Sequence, residues 1–369
     1  MTTGTANNLP ATVRAIEQGA GAGWHTGAQL YLWLDGEVAA DGGIGEARPG
    51  VPMQPESVNL WFSSGKPIGA VAAGMLKEAG LLDFDLPVAS YWPEFGRNGK
   101  DSITLRHILT HTGGFRMADR AGRHKTLQAV LEEIAATPLE PGWEPGKKAG
   151  YHADGSWHVL GEVIGRVAGD PFEQFVSKAI LGPLRMNSST FTMTEEKAGR
   201  LGDLYVPMQS DEHGELRPVP ESMPGVIGRF ARPGGGYHGT ARDLARLYMM
   251  LLGSGALDGV RCLKPETVSE LTGRHRAGML DHTFGQVMDW GLGFLLDNKH
   301  NGPAIPYGFG RHASPRTFGH GGRESSTGFA DPEHQLVVTL VFNGMPGEPA
   351  HDRRLRAVTS AVYEDLGLA

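Results

Sequence analysis

The sequence predicts an α/β fold of the α+β kind: an antiparallel sheet built from both chain ends, flanked by helices, with a mostly helical region inserted between. Three observations predict it. Residues 28–47 alternate apolar and polar positions around Asp35-Gly36, the pattern of a β-hairpin with a tight turn. Strand-like runs return only after Trp290, in "WGLGFLL", "RTFGHGG" and "QLVVTLVFNG". Helical spacing and loops fill the middle. The expected division is an α/β domain over 1–82 and 227–369 and a mostly helical domain over 83–226. The active site is expected in the cleft between them.

The helices follow in order. Ile68, Val71, Ala72, Met75 and Leu76 fall at i, i+3, i+4, i+7 and i+8, one apolar helix face, and Gly80 ends it. Leu127–Ala136 and Trp157–Ala168 come next, the second with Trp157, Leu160, Ile164 and Val167 on one side. Thr240–Gly253 has Thr240 as its N-cap. His351–Leu366 closes the chain.

Bulk properties narrow the function. The 369 residues, 40% hydrophobic and 20% charged, fit one large or two interlocked globular domains. The net charge of −7 comes with no basic patch, so nucleic acid is not an expected partner. No segment approaches the roughly 18 apolar residues that span a membrane. The single cysteine, Cys262, allows no intrachain disulfide. The start lacks a basic segment followed by an apolar run, so the expected location is cytoplasmic. No cofactor and no metal are expected.

The chemistry centres on "NLWFSSGKPIGA". Ser63 and Lys66 are three apart and share a helix face, whereas Ser64 and Lys66 do not. Pro67 belongs to a first helical turn, which puts the helix start at about Ser63. A serine there sits beside unpaired N–H groups that stabilise an oxyanion. Lysine, ordinarily near pKa ~10.4, serves as base only if burial or a neighbouring cation lowers it. A bare Ser-x-x-Lys is more often a capped helix with a solvated charge, so other segments must support it.

Several do, in a fixed order. "LWFSSGKPIGA", "GLLDFDLPVASYWPEF", "SITLRHILTHTGGF", "PGKKAGYHADGSWHVLGEVI", "RPGGGYHGTARDLARLYMMLLGSGALDGVRCLKPETV" and "FGHGGRESSTGFADPE" together resemble the serine β-lactamase and penicillin-binding-protein superfamily. The likeness is to its class C-like esterase and transacylase branch and runs over about 25–345. It implies a β-lactamase-like fold, with Ser63 as acylated nucleophile, Lys66 as its base and Tyr151 as the third, proton-passing member. It implies an oxyanion hole from the backbone N–H groups of Ser63 and Arg323. His320, Gly321 and Gly322 match its third motif, expected on an edge strand. The two glycines would let backbone approach the substrate. His152, Ala153, Arg323 and Trp290 join these as expected substrate contacts.

Two departures bear on the substrate. The second motif usually ends in an asparagine that grips a β-lactam side chain; here Ala153 stands there. The third usually starts with lysine; here it is His320, which when neutral attracts a carboxylate less well. Both leave the Ser–Lys–Tyr set intact. The expectation is a serine hydrolase on a small carboxylic ester, releasing the acyl group to water or to an alcohol or amine acceptor. A β-lactamase or D-amino-acid amidase or peptidase is the alternative, and a non-catalytic sensor the second. Arg323 either holds an anionic substrate group or faces solvent. Trp290 either walls the acyl pocket or packs the core. Residues 273–316 are expected as loops near the site. His107 and His111 have metal-like i, i+4 spacing, but without a supporting Glu or Cys they read as structural. "RPGGGY" lacks a phosphate loop's Lys-Ser/Thr and reads as a cleft turn. No Gly-x-Ser-x-Gly elbow occurs, which disfavours an α/β-hydrolase.

Overall fold

The structure, a computed structural model, describes residues 2–4, 8–212, 215–302 and 305–369. Its main sheet has eight strands: β1 (Thr2–Gly4), β2 (Gly27–Leu34), β3 (Glu37–Arg48), β4 (Val51–Pro52), β5 (Leu295–Leu296), β6 (Phe318–Gly322), β7 (Ser326–Asp331) and β8 (Leu336–Phe342). The order is β1-β3-β2-β8-β7-β6-β5, with β4 beside β3. Every pairing within it is antiparallel. The C-terminal strand β8 lies against the N-terminal β2, Val338 opposite Leu32, so both chain ends share one sheet as expected. Asp35 and Gly36 take φ of 48° and 95°, the double positive φ that a two-residue hairpin turn requires.

Helices cover both faces. α1 (Pro10–Gly21) and α5 (Glu348–Asp365) lie on one, and α4 (Ala241–Leu252) on the other. Strand alternation sorts β8 between them. Val337 and Val341 join Leu244 and Tyr248 of α4 in one apolar cluster. Leu336, Val338, Leu340 and Phe342 join Ile16 of α1 and Leu355, Val358 and Val362 of α5 in another. Each such side chain, fully buried, stabilises the fold by about 1.5–3 kcal/mol. That double burial is why β8 reads as an apolar run interrupted only by Thr339. Thr240 caps α4, its Oγ1 accepting from the Asp243 N–H at 3.0 Å.

α2 (Lys66–Glu78) departs from expectation in two ways. It begins at Lys66, after a 3₁₀ turn over Phe62–Gly65, so Ser63 lies in the turn before the helix. It is also buried nearly all round, including Lys66, Pro67, Gly69, Ala70 and Ala73, not along one face. Its small residues allow this: a Cβ on Gly69 would sit 3.5 Å from both Trp157 and Leu160 of α3 (Gly155–Ala168). One apolar cluster runs from sheet residues Tyr31 and Val341 through α2 to Phe95, Leu109 and Trp157 of the helical region. That region also carries a short hairpin, Gln209–Glu212 with Glu215–Pro218, where helices and loops were expected. Among the described residues, no helix is long and apolar enough to cross a membrane.

Candidate active site

The turn holding Ser63 is held in place by close packing on glycine backbone. Phe62 takes φ 48°, an uncommon conformation for a bulky residue, which surrounding structure must hold. A Cβ on Gly65 would lie 2.2 Å from the Tyr237 ring. A Cβ on Gly322 would lie 2.1 Å from the Trp61 carbonyl oxygen, so glycine there lets β6 press against the turn. Gly321 likewise makes room for the Tyr307 ring, 2.3 Å from where its Cβ would be. What the two glycines admit is therefore protein as much as substrate.

The two serines separate cleanly. Ser64 is fully buried; its Oγ meets the His320 carbonyl at 3.1 Å and the Ser326 Oγ at 2.9 Å. It rivets the turn to the sheet. Ser63 opens onto a cleft of about 550 Å³, with its Oγ 2.8 Å from the Lys66 Nζ.

Lys66 has no exposed surface. Its Nζ also meets the Ala153 carbonyl at 2.8 Å and the Gly234 carbonyl, and lies 5.4 Å from the ring centroids of Tyr151 and Trp157. Burial pulls its pKa down to about 7; Asp154 and Asp119 push it back up and Arg232 pulls it down. Its Nζ donates to the Ser63 Oγ and to both carbonyls; on losing a proton it can keep the two carbonyls, which only accept, and turn its lone pair to the Ser63 O–H. "RPGGGY" thus lines the cleft as expected, and its Gly234 carbonyl helps hold the lysine.

Tyr151 and Ala153 face the cleft. His152 does not. Alternate residues of an extended segment point opposite ways, so its ring is buried against Phe115, centroids 4.6 Å apart. His152 therefore makes no contact with the cleft, unlike the substrate contact expected of it. Tyr151 is anchored at both backbone groups: its N–H donates to Asp281 Oδ1 at 3.1 Å, and its carbonyl accepts from Thr283 Oγ1 at 2.9 Å. Its ring lies between His111, at 4.5 Å, and Phe284, at 5.1 Å. Burial holds its phenol well above the ordinary value, partly offset by hydrogen bonding to Ser63. It is a neutral donor. The 273–316 span supplies these anchors and the wall residue Trp290, which both lines the cleft and packs the core.

Asp119 was not singled out in the sequence. Its carboxylate accepts from Ala153 N at 2.9 Å, Asp154 N at 2.9 Å and Gly155 N at 2.6 Å. It caps α3 and fixes the Ala153 carbonyl over Lys66. No short motif marks Asp119 or Asp281; each acts across more than thirty residues of chain, on backbone groups. Asp154 pairs with Arg232 and His158, and these charges hold its carboxyl below the usual range.

β6 is not the sheet edge expected for the third motif. β5 pairs beyond it, but only Leu295 with Gly319 and Leu296 with Phe318. From His320 onward the outer rim is open to the cleft. His320 is buried, its Nδ1 2.7 Å from the Gly321 carbonyl. Burial and Lys66 lower its pKa to about 3, so it is neutral. Arg323 is exposed at the cleft mouth, near Glu348, whose pKa burial raises and the Arg323 charge only partly offsets. The apolar wall comprises Phe62, Val219, Ile227, Phe284, Met288 and Trp290. His107 and His111 do not share a helix face: the helix ends at Leu109, His111 has φ 57°, and the His107 Nδ1 accepts from the N–H of the N-cap Thr104. Among the described residues, no group of three His, Cys, Asp or Glu is placed to hold a metal ion. A second cavity, of about 630 Å³, shares only Leu295 with the cleft, and its Lys299 is tied to the Ala313 carbonyl.

Comparison with known proteins agrees with this architecture. The chain is 28% identical over 342 residues to Esterase/beta-lactamase LipL of Mycobacterium tuberculosis, covering 86% of this chain and 77% of that one. A penicillin-binding protein homologue from Caulobacter crescentus superposes with a TM-score of 0.80 at 26% identity, over 99% of this chain and 100% of that one. A family VIII carboxylesterase superposes with a TM-score of 0.78 at 26% identity, over 97% and 99%. The family model described as Beta-lactamase matches residues 13–363, and the chain belongs to that family.

Proposed function

We propose that the protein is a serine ester hydrolase that forms an acyl-enzyme on Ser63. The observation that carries this is the buried Lys66 amine, brought by burial to a pKa of about 7 and 2.8 Å from the Oγ of Ser63, which lines a largely apolar cleft. The relatives named esterase and carboxylesterase support the same reading.

As Ser63 Oγ attacks the ester carbonyl, its proton passes to Lys66 Nζ. The backbone N–H groups of Ser63 and Arg323 receive the oxyanion. When the intermediate collapses, the leaving alkoxide takes a proton from the Tyr151 phenol, and the Lys66 ammonium restores it. Deacylation runs these transfers in reverse, with a new nucleophile. The apolar wall receives the acyl chain, and the cleft volume is within the usual ~300–1,000 Å³ of small-molecule sites.

A β-lactam is the poorer fit. Ala153 offers no amide to its side chain, and His320, neutral and bonded to Gly321, offers no cation to its carboxylate. The single cysteine fits a reducing compartment such as the cytoplasm. The test is turnover of p-nitrophenyl butyrate against a chromogenic cephalosporin. Ester turnover that Ser63→Ala abolishes, with negligible cephalosporin turnover, is expected. Efficient cephalosporin hydrolysis would overturn the substrate assignment, and activity surviving Ser63→Ala would overturn the nucleophile.

A further inference from the structure

We infer that Glu324 is a positioning residue for the oxyanion hole: tied to α5 and to Tyr307, it aims the Arg323 N–H at the reacting carbonyl. This deepens the hydrolase reading above and rests on it.

The backbone gives the first sign. Each of the two donor N–H groups borders a non-glycine residue at positive φ. Phe62, at 48°, precedes Ser63, and Glu324, at 46°, follows Arg323. A side chain is uncommon in that conformation, which persists only where the surroundings over-determine it. Glycine would take the same φ with little strain, so a turn serving only to reverse the chain would favour glycine at 324.

The neighbours of Glu324 give the second. Residues 322–325 form the turn between β6 and β7, closed by the Ser325 N–H on the Gly322 carbonyl at 3.1 Å. Within it the Arg323 N–H has no hydrogen-bond partner among the described residues. Glu324, beside it, is held at three points. Its N–H donates to Tyr307 Oη at 3.3 Å, its carbonyl accepts from Arg354 Nη2 at 2.7 Å, and its Oε2 accepts from the Gly347 N–H at 2.8 Å. Gly347 is the N-cap of α5, and Arg354 is buried within that helix. Tyr307 is tied to the same helix: its phenol donates to Glu348 Oε1 at 2.6 Å and its N–H to Asp352 Oδ1 at 3.0 Å. One helix therefore braces the turn from several directions.

This bracing matters to the reaction because an oxyanion donor works by being aimed before the charge develops. Gly322 is pinned on one side of Arg323 by its pairing with Ser326. Glu324 pins the other. The peptide between them has little room to turn, so its N–H stays on the cleft. Glu324 acts through that peptide and touches no substrate.

Stopped-flow acylation by p-nitrophenyl butyrate over a range of concentrations tests this. It yields the burst amplitude, the acylation rate constant at saturation and the half-saturating concentration. Losing a whole oxyanion donor costs about 10²–10³ in rate, and loosening one costs part of that. In Glu324→Ala the rate constant is expected to fall about tenfold with half-saturation unchanged. Glu324→Gln keeps an oxygen for the Gly347 N–H and should recover most of the rate. Tyr307→Phe removes the acceptor of the Glu324 N–H but keeps the ring beside Gly321; it should slow acylation likewise, and it carries the test should Glu324→Ala not fold. The rate constant is independent of how much enzyme folds, which the amplitude reports. A lower amplitude at an unchanged rate constant overturns the inference and leaves the hydrolase reading standing. So does a change confined to half-saturation, or a Glu324→Gln no faster than Glu324→Ala. Absence of any burst in the wild type would sink the hydrolase reading, and the inference with it.

Discussion

Replacing Arg232 with glutamine should move the pH dependence of the enzyme to higher pH. The working form needs a neutral Lys66, so kcat/KM rises with pH through the Lys66 pKa and then levels. At a pKa of about 7, about half the lysine is neutral at pH 7, against about one in 3,000 for an unperturbed lysine. The wild-type profile should fall to roughly a tenth of its plateau at pH 6. Arg232 lowers the Lys66 pKa directly and also pairs with Asp154, whose carboxylate raises it. Arg232→Gln removes the first effect and unmasks the second, and both act upward. For a shift of ~1 unit, the usual scale for one nearby charge, activity falls about fivefold at pH 7 and hardly at all at pH 9. The assay is p-nitrophenyl butyrate hydrolysis from pH 5.5 to 9.5, corrected for spontaneous hydrolysis. An unmoved limb, or one moved to lower pH, refutes Lys66 as the titrating base. A wild-type limb near pH 10 refutes the lowering of the Lys66 pKa by burial.

Other perturbations separate support from chemistry. Ser64→Ala should retain an active Ser63 while lowering stability by about 1–3 kcal/mol, because the buried His320 carbonyl and Ser326 hydroxyl lose a partner; denaturant unfolding and burst amplitude measure the two. Asp119→Asn removes a charge that raises the Lys66 pKa, so its limb should shift to lower pH, opposite to Arg232→Gln, while the plateau drops as the Ala153 segment loosens. Gly65→Ala would set a methyl 2.2 Å from the Tyr237 ring, and should cost a few kcal/mol in chemical denaturation or prevent folding.

Much of this was legible in the sequence because it rests on local periodicity. The hairpin around Asp35-Gly36, the Thr240 cap and the pairing of late with early strands follow from alternation and turn chemistry. Ser63 emerged over Ser64 from three-residue spacing, although the α-helix starts three residues later than Pro67 suggested; a 3₁₀ turn keeps the two side chains together. The all-round burial of α2 was hidden because Ala and Gly give no hydrophobic stripe, yet their smallness is what admits Trp157 and Leu160. The direction of His152 was lost for lack of a certain extended segment at 151–153. Asp119, Asp281 and the Gly234 carbonyl stayed invisible for a different reason. They act on backbone or lysine atoms distant in sequence, and an isolated Asp or Gly carries no signature of its partner.

The central claim is that Ser63 is the residue acylated. Rapid quench during p-nitrophenyl butyrate turnover, at a pH where deacylation is slow, followed by proteolysis and fragment mass analysis, tests it directly. One butyryl group per chain, located on Ser63 and absent from Ser63→Ala, is the predicted result. A butyryl group on Ser64, or one that persists in Ser63→Ala, would contradict the account.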